Sequence, residues 1–261
     1  MNLDLELAIE LADSADELTL RHFRSADLVV ATKPDMSPVT QADRAVEQMV
    51  AERLTLARPD DSLLGEEFGQ RGDNPLRRWI VDPIDGTKNY VRGIPVFATL
   101  LALEEDRELV VGVVSAPALS RRWYAAKGDG AFADGERIWV SDVDRLEDAH
   151  VCHAGFEYWE KTGRLDGLIE LTRRAYRDRG FGDFWQHMLV AEGSADVALD
   201  PEVSLWDLAA IQVVVEEAGG RFTDLAGVAT PSGGNAISSN GLLHDSALAL
   251  VGDRAQATGG R

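Results

Sequence analysis

Residues 79–89 read W-I-V-D-P-I-D-G-T-K-N, and no other run constrains the chain as tightly. A short apolar strand leads into two carboxylates, Asp82 and Asp85, with Pro83 interrupting regular structure between them and Gly86 letting backbone approach a ligand. On a regular strand the two acids point to opposite faces, and on a helix they share one. Pro83 directly after Asp82 favours a third arrangement, a tight loop at a strand end. In such a loop both carboxylates and the Ile84 carbonyl can converge on one hard cation. Magnesium takes oxygen ligands at about 2.0 to 2.1 Å, keeps several waters, and commonly uses one or two carboxylates plus substrate phosphate. The N–H groups of Gly86, Thr87 and Lys88 would open the next helix and present an anion with donors and a positive dipole end. The same letters also suit an Asp-rich turn with a helix cap.

Further acidic segments share this ambiguity. Gly65-Glu66-Glu67 follows Leu63-Leu64, so a glutamate again stands where a short strand ends. Ser204-Leu205-Trp206-Asp207 opens an apolar run that closes at Ala218-Gly219-Gly220, a helix with Gly at its C-terminus. Asp207 three residues after Ser204, and Asp43 three residues after Thr40, both read equally as capping-box pairs.

Taken together, these segments resemble the inositol monophosphatase family, magnesium-dependent and lithium-sensitive phosphatases of small metabolites. The matching pieces are Lys33-Pro34-Asp35-Met36-Ser37-Pro38-Val39-Thr40-Gln41-Ala42-Asp43, Gly65-Glu66-Glu67, the 79–89 run, and Trp206-Asp207 with Glu217-Ala218-Gly219-Gly220, in the family's order across roughly residues 1–250. The resemblance implies two or three Mg2+ ions per site. Glu66, Asp82 and the Ile84 carbonyl would hold one, Asp82, Asp85 and Asp207 a second, and Glu66 with waters a third. Gly86 and Thr87 amides would cradle phosphate, Lys88 would stand beside it or on the helix surface, and Asp43 with the Thr87 hydroxyl would orient a water. Glu67 would be a structural charge, and Lys33 would help close the third metal site. The chemistry these residues allow is in-line hydrolysis by a metal-activated water, with Asp43, Glu66 and Thr87 as catalytic residues.

Composition narrows the partners. The chain of 261 residues has 26 Lys and Arg against 45 Asp and Glu, a formal net charge of −19, which argues against nucleic acid and anionic membranes. A single cysteine, Cys152, excludes an internal disulfide. No apolar run is long enough to span a bilayer and no leader pattern stands at the start, so a cytoplasmic enzyme is expected. The resemblance also implies a homodimer.

The pattern predicts an α+β first half, residues 1–144, carrying most metal ligands, and an α/β second half, residues 145–261, carrying Asp207 and the selectivity segments. Together they would form one unit with a poorly ordered tail at 255–261. Helices are expected over residues 3–23, 40–56, 165–177, 184–192, 204–218 and 241–251, with a loop at 33–38. Strands are expected at 96–103, 110–115, 122–126, 131–140, 149–153, 196–199 and 236–239. The family resemblance implies that these elements stack as a layered αβαβα sandwich.

Substrate choice falls on other residues. Arg179-Gly180-Phe181-Gly182-Asp183-Phe184-Trp185-Gln186-His187-Met188 places an acid and two aromatics where inositol phosphatases have small residues. Asp183 can pair with an ammonium, and Phe184 or Trp185 can pack on a planar ring or cation; equally, the rings can be core and Asp183 a helix cap. Asp200-Pro201-Glu202, just upstream of Asp207, adds acids at the site mouth. These strings resemble the histidinol-phosphate phosphatase branch of the superfamily, which implies a small cationic phosphate ester as substrate. Inositol 1-phosphate, 3′-phosphoadenosine phosphates and fructose bisphosphate remain alternatives, as does a catalytically idle interaction module. His150-Val151-Cys152-His153 lacks zinc geometry, His187 fits either the pocket or a helix surface, and Ser115 and Ser120 have no His-Asp partners.

Overall fold

Alternation of side chains along the central strands sets the layering. In strand Arg77–Asp85, Trp79 and Val81 face one way and Ile80 the other; in Ala98–Glu105, Leu101 and Leu103 oppose Leu100 and Ala102. Both faces are apolar, so both must be covered. Helices Leu3–His22 and Gln41–Ala57 cover the first face, packing Leu5, Leu11, Val46 and Val50 against Trp79, Val81 and Leu101. Helices Asp183–Ala191 and Leu205–Glu217 cover the second. Every residue from Leu208 to Val215 is buried, as expected of a helix that is apolar all round and lies between two sheets.

The computed structural model describes residues 2–34 and 37–252; the expected tail at 255–261, and Asp35 and Met36 of the 33–38 loop, lie outside them. The large sheet runs Glu136–Arg137, Gly130–Ala133, Arg121–Ala126, Glu108–Ala116, Ala98–Glu105, Arg77–Asp85, Ser62–Gly65, Gly69–Arg71. All neighbours are antiparallel except Ser62–Gly65 with Arg77–Asp85. A second sheet orders Arg177–Arg179, His150–His153, Val197–Asp200, Ala236–Ser239 and Arg221–Thr223. Trp159, Leu168, Leu171, Ala247 and Val251, from helices Phe156–Lys161, Leu165–Arg174 and His244–Val251, cover its outer side. The five layers make the αβαβα sandwich. The eight-stranded sheet precedes residue 145 and the five-stranded sheet follows it, while helices of the second half pack on the first sheet.

Three local expectations are corrected. The strand expected over 131–140 breaks at Asp134-Gly135, where both residues have positive φ (49° and 89°), the backbone of a primed hairpin turn signalled by Asp-Gly. The helix expected to reach residue 177 stops at Arg174, because Arg177–Arg179 pairs with His150–His153 as the edge strand. The 33–38 loop is flanked by a small antiparallel ribbon, Val30–Thr32 on Pro38–Thr40.

Candidate active site

The Asp82 to Asp85 segment stays in the sheet rather than leaving it as a loop. Pairing with Ala98–Glu105 runs to Asp82 opposite Leu100, shifts, and resumes with Asp85 opposite Ala98. Two residues, Pro83 and Ile84, thus oppose Thr99 alone, the count of a β-bulge. A spacing of three becomes effectively two, and both carboxylates leave the same side of the sheet. Thr99 Oγ1 donates to the Pro83 carbonyl (2.8 Å) and Ile84 N to Asp82 Oδ1 (3.0 Å), which holds the bulge. Carboxylate oxygens of Asp82, Asp85 and Asp207 lie within 4.8 Å of one another. Among the described residues no other group of three or more His, Cys, Asp or Glu side chains converges so closely.

Asp207 and Asp43 both cap helices, and each keeps one oxygen free of its cap. Asp207 Oδ2 accepts from Ser204 N (2.7 Å) at the start of Leu205–Glu217. Asp43 Oδ2 accepts from Thr40 N (2.8 Å) and Thr40 Oγ1 (2.5 Å) at the start of Gln41–Ala57. In each case one oxygen is committed locally and the other is left over. Asp43 Oδ1 lies 3.5 Å from Thr87 Oγ1, which donates to the Ile84 carbonyl at 2.9 Å. Gly86 begins the short helix Thr87–Val91 with φ 79°, and a Cβ there would stand 2.9 Å from the Val96 carbonyl oxygen.

Glu66 follows strand Ser62–Gly65, its N–H bonded to the Val81 carbonyl (3.2 Å). Lys33 Nζ pairs with Glu66 (2.6 Å) and Glu67 (2.5 Å). Behind them stands a residue the sequence reading missed. Glu47, fully buried, accepts from the backbone N–H of Glu67 (2.7 Å) and Phe68 (2.9 Å) and so fixes the turn that carries Glu66. Its signal is a charge within the buried stripe Asp43, Val46, Glu47, Val50, Leu54.

Burial, the largest cause, pushes Asp82 and Asp85 well above the usual carboxylate range, and neighbouring acids add to it, Glu66 on Asp82 and Asp183 on Asp85. Burial likewise lifts Asp207 to about 7 and, against bonds from Thr40, Asp43 to about 6. A buried, oxygen-only, mutually repelling donor set fits a hard divalent cation, and Lys33 already brings positive charge to its Glu66 edge.

Beside the cluster lies a cavity of about 230 Å³ lined by Asp85, Asp207, Asp183, Asp200 and Glu202, with Tyr158 on its wall. Asp183 is the first residue of its helix, at φ 51°, and Gly182 before it is the cap position, so Asp183 is not the cap. Its Oδ2 accepts from Asn89 Nδ2 (2.8 Å), and burial lifts its pKa to about 6. Phe184 meets the site through its backbone, N–H to Asp85 Oδ2 at 2.6 Å, while its buried ring packs against Trp123 in the middle layer. Trp185 does not reach this cavity. One residue further round the helix, it packs on Phe181 (4.8 Å between ring centres) and lines a separate cleft with Leu189.

Glu202, Lys88 and His187 each have a side-chain partner. Glu202 pairs with Lys161 (2.6 Å) at the surface, and the exposed Lys88 donates to the Tyr158 hydroxyl (2.7 Å). His187 is buried rather than on a helix surface. Its Nε2 lies 2.6 Å from Asp200 Oδ2 and its Nδ1 2.7 Å from Ser238 Oγ, a contact that no local spacing announces.

Fold and site together define a layered α/β protein with a buried acidic centre suited to divalent metal, opening on an acidic cavity. The chain belongs to the inositol monophosphatase family, a family of metal-dependent phosphatases whose profile matches residues 3–256. It is 53% identical over 260 residues to a Streptomyces coelicolor protein named histidinol-phosphatase, covering 96% of this chain and 97% of that one. It is 55% identical over 250 residues to a Mycobacterium tuberculosis protein of the same name, covering 94% and 96%. Among solved structures, the Thermotoga maritima IMPase superposes with a TM-score of 0.87 at 34% identity, covering 96% of this chain and 97% of that chain.

Proposed function

We propose that this protein hydrolyses histidinol phosphate to histidinol and inorganic phosphate. The observation that carries the reading is the identity of 53–55% across nearly the whole chain with two proteins named histidinol-phosphatase. The acidic cavity beside the metal-ligand cluster supports it, since histidinol carries an ammonium and an imidazole. Buried carboxylates left without a cation penalise a neutral ester.

In this reading Glu66, Asp82, Asp85, Asp207 and the Ile84 carbonyl hold two or three Mg2+ ions, which when bound neutralise phosphoryl charge and acidify water. Gly86 and Thr87 amides take phosphate oxygens. Thr87 and Asp43 orient the attacking water. Its oxygen bonds to phosphorus as the bond from phosphorus to the ester oxygen breaks in line; its proton passes toward Asp43, and the departing oxygen takes a proton from solvent to leave as the alcohol. Lys88 reaches the cavity rim through Tyr158 and would steer the ester's anionic end. Asp183 and Asp200 read the cation, with Glu202 contributing charge at the mouth. Of the two aromatics, Phe184 contributes its backbone, and Trp185 takes no part in substrate binding. The same reading makes the enzyme a homodimer, as the family resemblance implies, and places it in the cytoplasm; no described helix is long and apolar enough to cross a membrane.

Phosphate release from histidinol phosphate and from inositol 1-phosphate, each with Mg2+ and with chelator, tests the proposal. Expected is Mg2+-dependent turnover with kcat/KM at least about a hundredfold higher for the cationic ester, the scale of one unpaired buried charge. Equal or better use of inositol 1-phosphate would sink it.

A further inference from the structure

Two neighbouring residues of helix Asp183–Ala191 converge on one oxygen of Asp200. Gln186 Nε2 donates to Asp200 Oδ2 at 2.8 Å, and His187 Nε2 meets the same oxygen at 2.6 Å. His187 in turn is held from behind by Ser238 of strand Ala236–Ser239, at 2.7 Å from Nδ1. Relative exposures are 0% for Gln186, 1% for His187, 0% for Ser238 and 5% for Asp200, so the network is buried, and it meets the cavity at Asp200 and at the edge of His187. The distances mimic a Ser-His-Asp nucleophilic triad, but Ser238 is a fully buried residue of its sheet and does not line the cavity, so its hydroxyl is closed to a substrate. What the chain does hold is a carboxylate with one oxygen doubly anchored and the other uncommitted at the cavity wall.

We propose that His187, backed by Ser238, is a positioning residue that sets selectivity for cationic phosphate esters by fixing the Asp200 carboxylate. This rests on the histidinol phosphate reading and adds the device that gives it geometry. A carboxylate on a strand end can rotate about its Cβ–Cγ bond, and a mobile charge loses much of its advantage when it must be ordered by the ligand. Pinning Oδ2 from two sides removes that rotation and presents Oδ1 to an ammonium or protonated imidazole. In the neutral ring, Nε2–H donates to Asp200 and Nδ1 accepts from Ser238 Oγ–H. The acceptor-only carboxylate fixes the Nε2–H tautomer, and the hydroxyl answers it by donating to Nδ1, which stops the ring from turning.

The test compares His187→Asn, His187→Gln, Ser238→Ala, Asp200→Asn and the Asp200→Asn/His187→Asn pair. Each is assayed on two cationic esters, histidinol phosphate and phosphoethanolamine, and one neutral-headed ester, glycerol phosphate. Expected for His187→Asn is a KM about tenfold higher for the cationic esters, the scale of one hydrogen bond to a charged group, with kcat on glycerol phosphate within about twofold. His187→Gln, which can still reach Asp200 with an amide N–H, recovers most of the loss, and Ser238→Ala shows a smaller rise of about threefold. In the Asp200→Asn background His187→Asn adds nothing. Equal losses on cationic and neutral esters, or an additive effect in the double variant, would overturn the proposal and leave the network a packing feature. Should His187→Asn fail to fold, Ser238→Ala, which removes a single hydroxyl, decides alone. A wild-type enzyme that ignores histidinol phosphate refutes the functional reading; if it still prefers phosphoethanolamine to glycerol phosphate, the positioning claim is tested on that pair. No cationic preference at all refutes both.

Discussion

Asp43, Asp82 and Asp207 are each held by backbone N–H groups two or three residues away in the chain. Asp183, Asp200 and Glu202, across the same cavity, are held by side chains 13 to 94 residues away: Asn89, Gln186, His187 and Lys161. On the proposed metal-ligand side these three acids are therefore fixed by local turns and caps, with only Asp85 and Glu66 taking distant partners, Phe184 N–H and Lys33, whereas every acid of the proposed substrate side is held by tertiary neighbours. A side made from short motifs tolerates little substitution within each motif. The substrate side can be retuned one contact at a time while the sandwich around it is unchanged.

The difference is open to direct attack. Asp85→Asn removes a charge from the cluster itself, and turnover of every ester should fall together, by about a thousandfold or more. Activity near wild type, with the fold verified by circular dichroism, would remove Asp85 from the metal set. Phe184→Ala should cost about 3–5 kcal/mol in urea unfolding, because the ring is core even though its N–H touches the site. Trp185→Ala, on the far side of the helix, should leave KM for histidinol phosphate within about twofold; a large KM change would place that indole in the substrate cavity.

The effect of pH on the metal-ligand side is smaller but has a definite sign. Asp43 is raised to about 6 and Asp207 to about 7 from 3.8, so between about pH 4 and 7 the metal-free folded state binds more protons than the unfolded state. These groups make metal-free stability fall as pH rises through that window. Magnesium competes with those protons, so the Tm gained on adding it should be larger at about pH 7.5 than at about pH 5.5, by about 2–4 °C or more. Equal gains at both would mean that the raised carboxylates are not those the metal displaces protons from.

The same contrast explains what the sequence disclosed. Asp82 to Thr87, Glu66, Asp207 and Asp43 were legible because turn and cap chemistry follows from short spacings. Asp43 and Asp207 each cap a helix with one oxygen, which leaves the other open to the proposed water-orienting or metal-holding role. Pro83 suggests the end of a strand, whereas the ladder absorbs it as a bulge and resumes at Asp85. Charge marks Asp183 and Asp200, which line the cavity, whereas Trp185 lines another cleft, because a helix puts adjacent residues about 100° apart and only the packed helix shows which one faces the cavity. Glu47 is marked only as a charge in an apolar stripe, and nothing local names the partners of Glu47, His187 or Ser238. Their partners come from a turn, a strand and a sheet that meet only in the assembled sandwich.

The division of labour across the cavity is tested most directly by Asp183→Asn, since asparagine tolerates the φ of 51° there and keeps the side chain's shape. Measured as kcat/KM on histidinol phosphate and glycerol phosphate, the expected result is a loss of about tenfold or more for the cationic ester and little change for the neutral one. Equal losses on both would assign Asp183 to the metal-ligand side and contradict the separation of reaction from selectivity.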